Sequence, residues 1–167
     1  MQMEAIRQYL DMFRQAVAEN TVDAGIEESE EGPVLYCTVK SPFKGQEEIG
    51  YQISMLPYAD DVFAAEIVMF VFSNIDKDKF RDLNTLINRL NQYIVFGSYR
   101  LFEDNGSVMF CQGMMLSEDM QVMKINELMS KTITVMENTV LNTGDYILRL
   151  LNGEDIDPVL ESVEKGE

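Results

Sequence analysis

The chain contains no histidine. That absence excludes Ser-His-Asp and Cys-His catalysis, and every histidine metal site with them. Cysteine is scarce, with Cys37 and Cys111 the only two. Two thiols make no disulfide framework, and a reducing cytoplasm is the simplest setting. Neither has a basic or histidine neighbour in sequence to lower its pKa, so both read as small buried hydrophobes. Long apolar runs are missing too. The longest stretch without a charged residue, 105–117, is too short and too polar to cross a bilayer. Glu4, Arg7 and Asp11 interrupt any apolar leader, so no signal peptide is expected. Basic clusters are absent as well. Against 13 bases stand 29 acids, a formal net charge of −16. Such a surface repels phosphate backbones and anionic lipid, so neither a nucleic acid nor a membrane is an expected partner.

Phosphate and metal motifs fail one by one. Gly97, Gly106 and Gly113 fall in turn or strand contexts and build no phosphate loop. Asp76-Lys77-Asp78 begins like a calcium loop, but Phe80 takes the third ligand position and no glycine follows. Asp155-Ile156-Asp157 fails likewise. An acidic chain always offers carboxylate pairs, yet no spacing here singles one out. No catalytic, cofactor-binding or metal-binding residue is therefore expected.

What the chain does have is apolar content, at 46%. That is enough for a folded core. The simplest division is one domain over residues 1–153 and an acidic, frayed tail over 154–167. The stretch 76–116 organises the rest. Phe80, Leu83, Ile87, Leu90 and Ile94 step by three and four, which places them on one helix face. Asp76 and Asp78 sit where a helix dipole favours acids. Gly97 is the expected helix end, because it can turn left-handed without a Cβ penalty. Strands over 98–102 and 107–115 follow, joined through Glu103-Asp104-Asn105-Gly106, where Asn105 and Gly106 tolerate positive φ.

Upstream, Met3, Ile6, Leu10, Phe13 and Val17 mark a helix over 2–19. The acid-rich segment 20–33 reads as a solvated connector, with room for a short strand around 22–26. Strands follow over 34–40, 49–56 and 63–72, with turns at 41–45 and 57–61. The last of them is apolar at nearly every position except Glu66, which implies a central strand that opens to water there. Downstream, Ser117 is placed to cap a long helix, with Glu118 and Asp119 in its first turn. Met120, Met123, Leu128, Ile133, Met136, Val140, Ile147 and Leu150 lie along one side of it. Gly144 is a candidate kink, and Asn152-Gly153 the end. The order α-β-β-β-α-β-β-α predicts an α+β fold, an antiparallel curved sheet with helices packed on it.

Asn88-Arg89-Leu90-Asn91 is followed by Phe96-Gly97, then Asp104-Asn105-Gly106 and Val108. This series resembles the Asn-x-x-Asn helix end, Gly turn and Asp-Gly hairpin of the YbjN-like family, whose fold is shared with type III secretion chaperones. Outside this stretch the likeness rests on element order. It implies a fold and a protein-binding habit, and it brings no catalytic residues. Secretion chaperones are small, acidic and dimeric, and the YbjN-like family is associated with regulation of stress or surface-related functions.

Two surpluses point the same way. Methionine is abundant, with 12 residues, of which Met109, Met114, Met115, Met120, Met123, Met129 and Met136 crowd the last third. It fills gaps in cores and also suits adaptable binding surfaces. The second hairpin strand is apolar on both faces, and one face needs a cover. The expectation is a non-enzymatic, cytoplasmic homodimer that holds a basic or extended segment of a protein partner on Met109, Met115, Met120, Met123, Met129 and Met136. A small carboxylate or metal enzyme and a structural subunit of a larger assembly are the alternatives.

Overall fold

The computed structural model describes residues 2–17, 21–41, 43, 46–117 and 119–167. The elements run α1 (Gln2–Val17), β1 (Asp23–Ser29), β2 (Gly32–Lys40), β3 (Glu48–Ala59), β4 (Val62–Phe72), a 3₁₀ turn (Lys77–Lys79), α2 (Phe80–Asn91), β5 (Ser98–Phe102), β6 (Ser107–Ser117), α3 (Val122–Leu151) and α4 (Ile156–Lys165). The strands form one antiparallel, open sheet in the order β1-β2-β3-β4-β6-β5. The fold class is α+β, as the element order predicts. The chain divides into two compact units, residues 1–69 with 112–134, and residues 70–111 with 135–167.

In the first unit, Leu35 pairs with Ile53 and Cys37 with Tyr51, so these four share a sheet face. All are buried. Helix α1 packs on β1, β2 and β3 and buries Ile6, Leu10 and Phe13. Tyr9 meets Phe63 edge to face at 6.0 Å. The acidic connector expected over 20–33 is instead a hairpin. β1 pairs along its whole length with β2, Ser29 lies opposite Gly32, and Glu30-Glu31 make the turn. The expected turn at 57–61 is also shorter, since β3 runs through Pro57 and the chain reverses at Asp60 and Asp61, the latter at φ 62°. Of the turn at 41–45, Pro42, Lys44 and Gly45 lie outside the described residues. So do Ala18 and Glu19 at the first helix's expected end, and Asn20 of the expected connector.

In the second unit, α2 buries Phe80, Leu83, Leu86, Ile87 and Leu90. It starts at Phe80, so Asp76 and Asp78 belong to the 3₁₀ turn before it. It stops at Asn91, well short of Gly97. Gly97 does take a left-handed φ of +80°, but its task lies elsewhere. A Cβ there would stand 2.6 Å from the Phe110 ring and 3.0 Å from the Cys111 carbonyl. The position is glycine because the strand is entered through a gap with no space for a side chain. The hairpin forms as expected, with Phe102 opposite Ser107. Gly106 alone of its turn is left-handed, at φ 60°, whereas Asn105 is not. Gly106 accepts a 2.9 Å hydrogen bond from the Ile75 N–H.

Two helix ends also differ from expectation. Ser117 caps nothing, because it is the last residue of β6 and its hydroxyl donates to the Asp119 carboxylate. Glu118 lies outside the described residues. α3 begins at Val122 and runs unbroken past Gly144. Its buried side carries Ile125, Met129, Thr132, Met136, Val140, Ile147 and Leu150, while Met123 and Leu128 are exposed. The tail expected to fray is helix α4. It buries Val159 and Val163, contacts α2, and pairs Glu164 with Arg89 at 3.2 Å. Arg149 grips Glu154 through two nitrogens, at 2.8 and 2.6 Å, across the link into it.

Candidate functional site: an open sheet face

The first unit has a second sheet face. Val34 pairs with Ser54, Tyr36 with Gln52 and Thr38 with Gly50, which sets these side chains opposite the α1-covered row. A hollow of about 530 Å³ lies on this face. β2 gives it Val34 and Tyr36, β3 Gln52, Ser54 and Leu56, β4 Ala64 and Glu66, and β6 Gly113 and Met115. Glu31 of the first hairpin borders it. Small side chains keep the floor low. A Cβ added to Gly113 would touch nothing nearer than the Ala65 carbonyl at 4.0 Å. Larger apolar groups stand partly in solvent, with Tyr36 37%, Leu56 38% and Met115 53% exposed. Glu66 is half-buried in the lining, where the expected apolar strand opens to the hollow.

The six methionines expected to form one surface are divided. Met109, Met129 and Met136 are buried and fill core space. Met115 is exposed on the hollow, Met123 is 75% exposed on α3, and Met120 is half-buried ahead of that helix. Sequence spacing alone could not sort them, because methionine suits core and surface equally.

The motif residues part company as well. Asn88 is exposed on α2. Asn91 reaches across to β5, where its amide donates to the Tyr99 carbonyl at 2.9 Å and its oxygen accepts from the Tyr99 N–H at 2.8 Å. Tyr99 lies edge to face on Phe110 at 4.9 Å. Thr143 spends its hydroxyl proton on the Thr139 carbonyl at 2.7 Å, so the Tyr99 hydroxyl is the donor in their 2.9 Å contact. Burial pushes the Tyr99 phenol well above its usual pKa. It likewise pushes the Cys37 thiol up to about 11, so this sulfur is protonated and inert. Cys37 and Cys111 are both buried and free of disulfides. Among the described residues, no group of three or more Cys, Asp or Glu is arranged to hold a metal ion. Nor is any helix there long and apolar enough to cross a membrane.

A second apolar feature was missed by residue spacing. Between α2 and β5, Tyr93, Val95 and Phe96 are exposed, Val95 at 96%. The run Tyr93-Ile94-Val95-Phe96, just past the helix stripe, is the signal that would have found it.

No family model matches the sequence, and no curated protein matches it. Among solved structures, the chain is similar to YbjN from E. coli, a suggested transcription regulator. The identity is 11%, the match covers 82% of this chain and 92% of that one, and the TM-score is 0.46. A likeness of this order does not show membership of the YbjN-like family.

Proposed function

We propose that the protein is a non-enzymatic binding module, chaperone-like or regulatory, which holds a segment of a protein partner and works as a homodimer in the cytoplasm. The open face of the first unit carries this reading. It offers partly exposed Tyr36, Leu56 and Met115 around a floor of small residues, and burying such a patch is favourable. The net charge of −16 keeps the chain soluble and favours a basic partner. The self-association half of the proposal belongs to the loop of Tyr93, Val95 and Phe96, whose exposed apolar side chains gain by burial against a second copy.

Sedimentation over a micromolar concentration series tests the dimer. The expected species is twice the chain mass, and Val95→Lys should shift it to monomer. A wild-type monomer throughout would sink that half. Fluorescence anisotropy of a labelled, permanently unfolded polypeptide tests the holding. Its signal should rise with added protein and stay flat with Gly113→Trp, which fills the hollow.

A further inference from the structure

We infer that the hollow of the first unit takes an extended segment in which lysine or arginine alternates with apolar residues, a cation meeting Glu66. This deepens the holding reading and rests on it. The hollow crosses β2, β3, β4 and β6. With neighbouring strands about 4.8 Å apart, that width accepts about four extended residues. An extended chain turns every second side chain to the floor. Ser54, Ala64 and Gly113 leave depth for a long side chain, and Met115 and Leu56 give its stem an apolar wall. Both charged groups of the lining, Glu31 and Glu66, are acids. Glu27 of β1 lies on the same face, since it pairs with Val34. A lysine or arginine fits such a site, with its stem on the apolar wall and its head at the carboxylate. A second copy of this chain is disfavoured, because isologous pairing would bring the same acidic patch of both copies together. An acidic peptide is excluded by the same repulsion.

The test is anisotropy with two labelled peptides of equal length, one alternating lysine and valine, the other glutamate and valine. The lysine peptide should bind at least about tenfold more tightly and weaken as salt is raised. Glu66→Lys should lower its affinity by about tenfold or more, and Glu31→Lys should weaken it in the same direction. Circular dichroism checks that each variant remains folded, and Ala64→Leu replaces any filling variant that does not. If both peptides bind equally and Gly113→Trp blocks both, the holding survives and the cation preference is overturned. If the lysine peptide ignores both charge reversals, its attraction is general to the acidic surface and the site is wrong. If neither peptide binds, the holding reading itself falls.

Discussion

β5 and β1 are the two edge strands of the sheet, and they are protected by different means. Along β5, the Asn91 side chain takes up both the N–H and the carbonyl of Tyr99, filling the place a further strand would occupy. α2 lies against the same strand. Along β1 the guards are charges, Glu27 and Glu28, the latter paired with Arg7. Hydrogen-bond closure refuses every strand, whereas carboxylates refuse only acidic or apolar ones. Side-chain space differs in the same sense. From Ser107 to Cys111, β6 is buried at every position. Farther along the same strand, Gly113 and Met115 are exposed. One unit is finished as a core, and the other keeps a face in reserve.

The sharpest way to break this contrast is a pair of glycine substitutions. Gly97→Val forces a β-branched residue to φ +80° with its Cβ inside the Phe110 ring contact, at a cost of about 3 kcal/mol. Gly113→Val, in the open hollow, should stay within about 0.5 kcal/mol of wild type. Equal falls in Tm for the two variants would erase the distinction. Next in size, Asn91→Ala leaves both Tyr99 groups unpaired and should cost about 2 kcal/mol. Light scattering should then reveal association through β5, and a variant that stays clear would show the edge closed by α2 alone. A smaller effect comes from alkali. Unfolded Cys37 ionises near pH 9.0, the folded thiol at about 11. The unfolded chain therefore loses its proton first. Stability is intact below pH 9 and drains away as pH climbs toward 11. Cys37→Ala should flatten that slope in chemical denaturation. The smallest expected change is a gain. Gly25, on exposed β1, has nothing within 4 Å of a new Cβ, so Gly25→Thr should stabilise by about 0.5 kcal/mol. A loss there would mean that the open face is less roomy than it is drawn.

Where burial follows a strict period, the sequence alone locates the elements. Ile49, Tyr51, Ile53 and Met55 alternate with Gly50, Gln52 and Ser54, and β3 follows. Phe80, Leu83, Ile87 and Leu90 place α2 in the same way. Misreadings occur where charge hides a period. Ile156, Val159, Leu160 and Val163 step by three, one and three among five acids over 154–164, so α4 looks like a solvated tail. Its core face is narrow and is completed by α2. β1 escapes for a similar reason, since its acids face solvent and only Ala24 and Ile26 alternate inward. Gly97 shows a subtler limit. Its positive φ is legible from residue type, but the ring that demands it lies thirteen positions away. The hollow is least legible of all. Its lining comes from four strands, and small residues such as Ala64 and Gly113 mark a cavity only once they are brought together.

The clasp on Tyr99 depends on a side chain that both gives and takes a proton-bearing bond, and an amide is the group that does so at neutral pH. Hydrolysis of Asn91 to aspartate would swap the nitrogen for a second oxygen and leave the Tyr99 carbonyl facing a negative charge. Old molecules of this protein would then come apart first at β5, and acid would mend them by restoring a donor.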